Sequence, residues 1–397
     1  MLLRTASRLL CLLALVGDAI AGVHSKPSKH IAKIIKQAKN DGIDLEALPF
    51  AQAAFRSIEE VKEAAKNKTR YDFRNASRID VHVHAVPSFY YALVPLTGGS
   101  PTPEWSVHEH LQFMADNDIS RGIISMSAPG ATVFYGNEAY TVGLARLLNE
   151  WLAELKRSFP DRFDFYAVMP LPYNTAALKE AQYALSSLGA LGLGLLTNHE
   201  GFYLGNAALS PFFEALNNTV PGGPHVCIVH PTDPLMRVDN GSSIIVANPT
   251  TYPTGFVEFY FETARALMDL VLSQTLIKYT NIRWSIAHVG GAFPAIEDRF
   301  VKKNPALEKL AKQALNSRVW YDSAGPTYFA QVKGLLGYGV PTSQLVFGSD
   351  FPYSQFPYDL SAKAIVDADF LTQAERTALF ETNVEDMFGM HFHDRKH

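Results

Sequence analysis

Cysteine is scarce in this sequence, whose 397 residues include only Cys11 and Cys227. A small domain held together by disulfides is therefore excluded, because such domains are shorter and far richer in cysteine. A basic excess is also missing, since 35 lysines and arginines stand against 39 acidic residues for a net charge of −4. Proteins that neutralise phosphates normally carry such an excess, so we expect no nucleic-acid partner.

Long apolar runs are equally rare, and the one near the N-terminus, Leu9–Val16, is too short to cross a bilayer. Arginines precede this run and the small residues Ala19-Ile20-Ala21 follow it. This arrangement predicts a cleavable signal peptide over residues 1–21, with an uncleaved anchor or a mitochondrial presequence as the alternative. We therefore expect the secretory pathway (endoplasmic reticulum, a vacuole-like compartment or secretion) and no stable membrane span after cleavage.

Glycosylation sequons of the type Asn-x-Ser/Thr are consistent with that route, although each one alone is a weak signal. They lie at Asn67, Asn75, Asn217 and Asn240.

The chain changes character near residue 79. Residues 22–78 are polar and predict a helical N-terminal extension or pro-region, whereas residues 79–397 alternate short apolar runs with amphipathic segments. The eight predicted strands are Ile79–His84, Gly122–Ser127, Phe163–Met169, Gly192–Leu196, Val226–His230, Arg283–His288, Val319–Asp322 and Leu345–Gly348.

This alternation predicts an α/β fold with a parallel sheet covered by helices. Eight strand-helix repeats over about 300 residues favour a (β/α)8 TIM barrel over an open sheet. A dinucleotide-binding open sheet would need a glycine-rich turn after its first strand, and His82–Pro87 stands there instead.

Polar residues end four of the predicted strands, which is where a barrel of this kind carries its chemistry. They are His82 and His84 on the first strand, His230 on the fifth, His288 on the sixth and Asp350 after the eighth. Side chains at positions i and i+2 of a strand share a face, so the first two histidines point together. A single histidine of this kind is more often a hydrogen-bonded core residue, but five such residues together predict a site for Zn²⁺, Fe²⁺ or Mn²⁺.

These motifs resemble the amidohydrolase superfamily. Within it, the chain is similar to the decarboxylase branch that contains aminocarboxymuconate-semialdehyde decarboxylase and the fungal 6-methylsalicylate decarboxylases. The motifs that carry the resemblance lie in order along residues 79–390. They are Ile79–His84, Leu193–Asn198, His230-Pro231-Thr232, Ala287–Gly291 and Gly348–Tyr353.

The resemblance implies one divalent metal ion, zinc first and manganese second, held by His82, His84, His230 and Asp350. It assigns catalytic roles to His288 and Asp350, without deciding which of the two delivers a proton. Many hydrolytic relatives place a bridging lysine on the fourth strand, but Gly192–Leu196 has none. A mononuclear site therefore fits the branch. The resemblance also suggests a homodimer.

The implied enzyme is a carbon–carbon lyase, a metal-dependent decarboxylase of a small hydroxyaromatic acid. The first strand-to-helix loop has no arginine or lysine between Ala85 and Ser106, so a second substrate carboxylate has no partner there. The leading specific substrate is 6-methylsalicylate, which would give m-cresol and CO₂ in fungal secondary metabolism. The alternative is a mononuclear metallohydrolase of a lactone or amide, in which the same ligands activate water.

Aromatic residues and one histidine near the strand ends are candidates for the substrate pocket, although ordinary loop packing explains them equally well. They are Phe89, Tyr90, Trp105, His199 and Phe351. A surface position is the favoured interpretation of His199, and also of His108 and His110 on the first helix of the barrel.

Overall fold

The computed structural model describes residues 27–67, 69–302, 304–325, 328–353 and 359–392. Its centre is a sheet of eight parallel strands. These strands, labelled β1 to β8, are Arg78–Ala85, Ile119–Met126, Phe163–Val168, Gly192–Leu196, His225–His230, Ile282–Ile286, Val319–Asp322 and Leu345–Val346.

The strands follow one another round the sheet in chain order. Backbone hydrogen bonds join the first strand to the last, since the Val81 amide donates to the Phe347 carbonyl at 3.0 Å and the Asp350 amide to the His82 carbonyl at 2.8 Å. The predicted (β/α)8 barrel is confirmed. All eight predicted strands are present, but β6 ends at Ile286, so His288 lies on a short 3-10 turn beyond it.

Helices cover the outside of the barrel. Those of the barrel region, α3 to α15, are Ser88–Leu93, Val107–Asp116, Glu138–Ser158, Asn174–Tyr183, Ser210–Asn218, Glu258–Leu272, Thr275–Lys278, Glu297–Val301, Pro305–Arg318, Phe329–Gly337, Asp359–Asp367, Gln373–Phe380 and Thr382–Phe388. Short polar side chains cap the N-termini of several of these helices. The Ser106 hydroxyl accepts from the Glu109 amide to begin α4, and the Asn137 side chain accepts from the Tyr140 amide to begin α5.

The apolar side chains form two buried groups. The larger lies between the sheet and the helices, and the smaller fills the barrel interior with residues such as Ile123, Ile228 and Trp320. Val384 and Met387 of α15 belong to the interior group. The C-terminal helix therefore closes the bottom of the barrel and leaves the opposite end, where the strands terminate, for chemistry.

The described part of the extension contains two helices, α1 (Lys29–Asn40) and α2 (Ala51–Ala64). Their apolar faces, including Ile34 and Ile58, belong to the same buried group as the helices around the barrel. Close packing is visible at Gly143 of α5, where an added Cβ would lie 2.4 Å from Leu48 Cδ1.

The predicted signal peptide lies outside the described residues. Among the helices of the described ranges, none combines the length and the hydropathy needed to cross a membrane. The side chains of Asn67, Asn75 and Asn240 are exposed. Asn217 is half-buried, and its side-chain oxygen accepts a hydrogen bond from the Asn281 amide at 2.9 Å.

Candidate metal centre

The site begins with an irregularity in β1. Between Asp80 and Val83 the strand takes three steps while its neighbour β2 takes two, from Gly122 to Ile124. Such a bulge re-aims side chains. Here the His82 and His84 rings lie with centroids 5.1 Å apart, which confirms that they point the same way.

His230 at the end of β5 brings a third imidazole to the same place. Its ring centroid is 5.0 Å from that of His82 and 4.8 Å from that of His84. His288 is added by the turn after β6, with its ring 4.9 Å from His82. His288 and Val289 both have positive φ angles, 55° and 53°. This backbone conformation is costly for residues other than glycine and is common at functional sites.

Asp350 supplies the carboxylate at the centre of the histidines. Its Oδ1 lies 3.2 Å from His84 Nε2 and 3.4 Å from His82 Nε2, while its Oδ2 lies 3.7 Å from His288 Nε2. The residue has a φ of 62°, again in the left-handed region. The structure therefore brings together all five residues that the strand ends predicted.

Three of the histidines are oriented by acceptors on their Nδ1 atoms. His82 Nδ1 donates to Asp322 Oδ2 at 2.8 Å, His84 Nδ1 to the Ser125 carbonyl at 3.2 Å and His230 Nδ1 to the Pro231 carbonyl at 2.7 Å. With Nδ1 used in this way, Nε2 is the atom left to bind a metal.

The donor set fits a divalent cation. The Nε2 atoms of His82 and His84 are buried and have no hydrogen-bond partner within the described part of the chain. Ligand atoms of His82, His230, His288 and Asp350 all lie within 4.8 Å of one another. Several imidazoles and one carboxylate around one point form a site for a single divalent metal ion.

The surroundings shift the pKa values of the site residues in different ways. Burial lowers the pKa values of His84 and His230, which favours the neutral imidazole that binds metal. Burial also lowers the pKa of His82, but the carboxylates of Asp322 and Asp350 outweigh it and raise that pKa to about 10. Burial raises the pKa of Asp350, yet its close approach to the imidazoles of His288, His82 and His84 holds it well below its ordinary value.

Asp322 is the functional residue that the sequence analysis missed. It is buried at the end of β7, and while its Oδ2 holds His82, its Oδ1 accepts from the His288 amide at 3.0 Å. It thus orients one ligand ring and the turn that carries another site histidine. A carboxylate closing an otherwise apolar strand was the available signal.

Asp80 has a related role beneath the site. Its Oδ1 accepts from the amides of His82 and Ser349 at 3.1 Å each, which ties β1 to the segment that carries Asp350. Burial raises the pKa of Asp80 to about 7.

A cavity adjoins the metal centre through His230. Most of its wall is apolar, and no lysine or arginine is among the described residues that line it. The lining residues are Ser125, Met126, Gly130, Ala131, Tyr166, Val168, Met169, Gly194, Leu195, Leu196, His199, Ile228 and His230.

Of the five candidate pocket residues, His199 lines this cavity. The surface interpretation of His199 was wrong, because its side chain is buried and its Nε2 accepts from the Leu196 amide at 3.2 Å. Burial lowers its pKa to about 3, so the ring is neutral. A two-stranded hairpin directly after β4, Asn198–His199 with Phe202–Tyr203, folds the residue inward.

The other four candidates are not among the described residues that line the cavity. Phe89 and Tyr90 are buried in α3, and the Tyr90 hydroxyl donates to the Gly130 carbonyl at 2.9 Å. Trp105 packs on Trp151 with ring centroids 5.5 Å apart.

Phe351 stacks on Phe113 at 4.3 Å and also contacts the ring of His110 at 4.9 Å. The surface interpretation of His110 was wrong, since its ring is fully buried and accepts from Trp105 Nε1 at 3.1 Å. His108 is half-buried, and its Nδ1 lies 2.9 Å from the Tyr71 hydroxyl.

Comparison with known proteins agrees with this geometry. The Amidohydrolase family matches residues 79–390. The decarboxylase yanB of Aspergillus niger is 30% identical over 70% of this chain and 77% of its own length. The 6-methylsalicylic acid decarboxylase of Penicillium expansum is 28% identical over 71% of this chain and 86% of its own. A crystal structure of a dihydroxybenzoic acid decarboxylase from Polaromonas, with bound manganese and 2-nitroresorcinol, superposes with a TM-score of 0.62. It is 19% identical and covers 79% of this chain and 97% of its own.

The chain therefore belongs to the amidohydrolase family, whose match takes in all five residues of the metal centre. Within that family it is an enzyme of the decarboxylase type, a carbon–carbon lyase.

Proposed function

We propose that this protein removes CO₂ from a hydroxyaromatic acid of the salicylate type, with 6-methylsalicylate as the leading substrate and m-cresol as its product. The observation that carries the proposal is the pairing of a metal centre with an apolar cavity in whose wall the described part of the chain places no lysine or arginine. Such a pocket suits an aromatic ring with a single carboxylate.

The chemical difficulty of this reaction is the electron pair that departing CO₂ leaves on carbon. Protonation of the ring carbon that bears the carboxylate solves it, because breaking the carbon–carbon bond then restores the aromatic ring. A divalent ion in the site would orient the carboxylate and the ortho oxygen and act as a Lewis acid. The net change is uptake of one proton by the ring carbon and release of one CO₂.

The proton passes through His288 or Asp350, which face each other across the centre. Asp350 is ionised near neutrality, so it must receive a proton before it can deliver one. His288 Nε2 lies 3.7 Å from Asp350 Oδ2, close enough to exchange a proton as the groups tighten around a substrate. The two residues thus form one proton-handling pair.

Arg265 is not an anion contact in this proposal. Its Nη1 lies 2.7 Å from Glu262 Oε1 and 3.7 Å from Glu258 Oε2, so acidic groups on its own helix already engage it.

Zinc is the proposed resident metal, and manganese is the second candidate. Imidazole-rich sites favour zinc, whereas a carboxylate also suits manganese. The manganese in the Polaromonas decarboxylase supports the second choice.

Substrate preference is the direct test of the proposed activity. Metal-free protein reconstituted with Zn²⁺ or Mn²⁺ is incubated with salicylate, 6-methylsalicylate and 2,6-dihydroxybenzoate while CO₂ is followed. We expect kcat/KM for 6-methylsalicylate to exceed that for salicylate by at least about fourfold, since burying one methyl group is worth roughly 0.8 kcal/mol. Absence of CO₂ from every acid, together with hydrolysis of a lactone such as dihydrocoumarin, would contradict the proposal.

We also propose passage through the secretory pathway and assembly as a homodimer. Expression in a yeast host is expected to give protein that loses mass on endoglycosidase treatment, with glycans on the exposed Asn67, Asn75 or Asn240. Replacing these three asparagines with glutamine removes the shift. An unchanged mass for the unsubstituted protein argues against the route, and light scattering measures the oligomeric state.

A further inference from the structure

We infer that the N-terminal extension is a brace for two loops of the active site, and that Phe50 is its main positioning residue. The two loops follow β1 and β2. Loop 1 contains α3, and loop 2 spans residues 127–137. The extension lies outside the family match, which begins at residue 79, so the brace belongs to this chain and not to the shared barrel.

The contact with loop 2 is aromatic. Phe50, at the start of α2, is fully buried and stacks on Phe134 with centroids 5.4 Å apart and planes 6° apart. The edge of Tyr140, at the start of α5, meets both rings, at 6.1 Å and 5.2 Å. Loop 2 also contributes Gly130 and Ala131 to the cavity wall. Loop 2 therefore contacts the extension through Phe134 and the cavity through Gly130 and Ala131.

The contact with loop 1 is polar. The Ser88 hydroxyl, at the first position of α3, lies 3.2 Å from the Ser57 hydroxyl and 2.9 Å from Glu60 Oε2, both on α2. Ser88 and Glu60 are exposed, whereas Ser57 is buried, and the hydrogen bonds are individually modest in strength. They nevertheless fix where α3 sits relative to α2.

The two loops are joined to each other as well. The buried Tyr90 hydroxyl of α3 donates to the carbonyls of Ser127 and Gly130 in loop 2, at 3.2 Å and 2.9 Å. Extension, loop 1 and loop 2 thus contact one another in a closed triangle. The carbonyl of Ser125, two residues before loop 2, holds the His84 ring. Loss of these contacts would therefore displace loop 2 and enlarge the cavity, with a smaller effect on the positions of the metal ligands.

A second set of contacts docks the extension without touching either loop. Asp41 Oδ2 lies 2.9 Å from Arg146 Nη1, and Arg146 Nε lies 2.9 Å from Glu180 Oε2. Asp41→Asn is consequently a matched control, because it weakens docking on α5 and α6 and leaves the loop contacts in place.

The experiment compares Phe50→Leu with Asp41→Asn in the full-length, metal-loaded protein. Peptide-level hydrogen exchange of residues 127–137, KM, kcat, metal content and Tm are measured. For Phe50→Leu we expect exchange of loop 2 to accelerate and KM to rise by about three- to tenfold, the effect of losing one aromatic pair. Metal content should be unchanged, and kcat should fall less than KM rises. Asp41→Asn should leave loop exchange and KM unchanged and affect only Tm, which it should lower.

Unchanged loop exchange in Phe50→Leu would overturn the inference, as would equal changes in both variants, which would make the extension a general stabiliser only. Phe50→Tyr retains the stack and should restore wild-type loop exchange. If the unsubstituted enzyme decarboxylates none of the acids, the proposed function fails, but the exchange comparison still decides whether the extension braces the loops.

Discussion

The His82→Ala variant is expected to lose bound metal and decarboxylase activity together. His82 lies at the middle of the centre, with its ring about 5 Å from those of His84, His230 and His288. Its Nε2 is buried without a partner in the described ranges, and Asp322 fixes its other nitrogen. Alanine removes a ligand and leaves the buried Asp322 Oδ2 without its hydrogen bond from His82. Elemental analysis after dialysis should find no stoichiometric metal, and activity should fall to that of metal-free enzyme.

Two companion variants make this result specific. His108→Ala removes a half-buried histidine near the start of α4, where its ring contacts Tyr71, and should retain both metal and activity. Asp322→Asn keeps every ligand but removes the carboxylate that orients His82, so metal affinity should fall by about 10- to 100-fold, the usual effect of losing an outer-shell partner. Full metal occupancy in His82→Ala would show that the ligand set is assigned wrongly.

The His288→Asn variant is expected to keep the metal and lose catalysis. Unlike the three other histidines, His288 has a buried Nδ1 with no acceptor among the described residues, so nothing fixes its ring for ligation. Its backbone is held instead, by Asp322, and its ring stacks on Tyr260 with centroids 5.4 Å apart. A proton-transfer role predicts a fall in kcat of about 10²- to 10⁴-fold.

Two further variants, His84→Asn and Asp350→Asn, distinguish metal binding from proton transfer. His84→Asn should lose metal, because its ring is oriented by Ser125 and faces Asp350. Asp350→Asn should lose activity fully and metal affinity in part, since an amide oxygen still binds metal but the side chain no longer exchanges a carboxyl proton. Loss of metal from His288→Asn would place His288 among the ligands. Its position permits this, because a ligand atom of His288 lies within 4.8 Å of those of His82, His230 and Asp350.

Much of the site was predictable because the four histidines and Asp350 lie at or just beyond the ends of predicted apolar strands. His82 and His84 are two residues apart on one strand, so their side chains share a face, and His230 ends another strand. A parallel barrel brings the C-terminal ends of its strands to one rim. Local pattern also predicted all eight strands. It failed for His110 and His199, whose neighbours in sequence are compatible with a surface helix and a surface loop. Their burial comes from distant partners, namely Trp105 with Phe351 in the first case and the hairpin over β4 in the second.

The sequence by itself determined the barrel, through its alternation of apolar strands and helices, and the family. It also predicted the five residues that the structure brings together, since their signal is a polar residue type at or near a strand end. Cys227 lies within the predicted strand Val226–His230, and in the structure it is a fully buried free thiol whose pKa burial raises. Only the tertiary structure decided that Asp322 orients His82, that the described lining of the cavity contains no lysine or arginine, and that Phe50 reaches a loop 84 residues away. These features depend on contacts between segments far apart in the chain, and no local periodicity encodes such contacts.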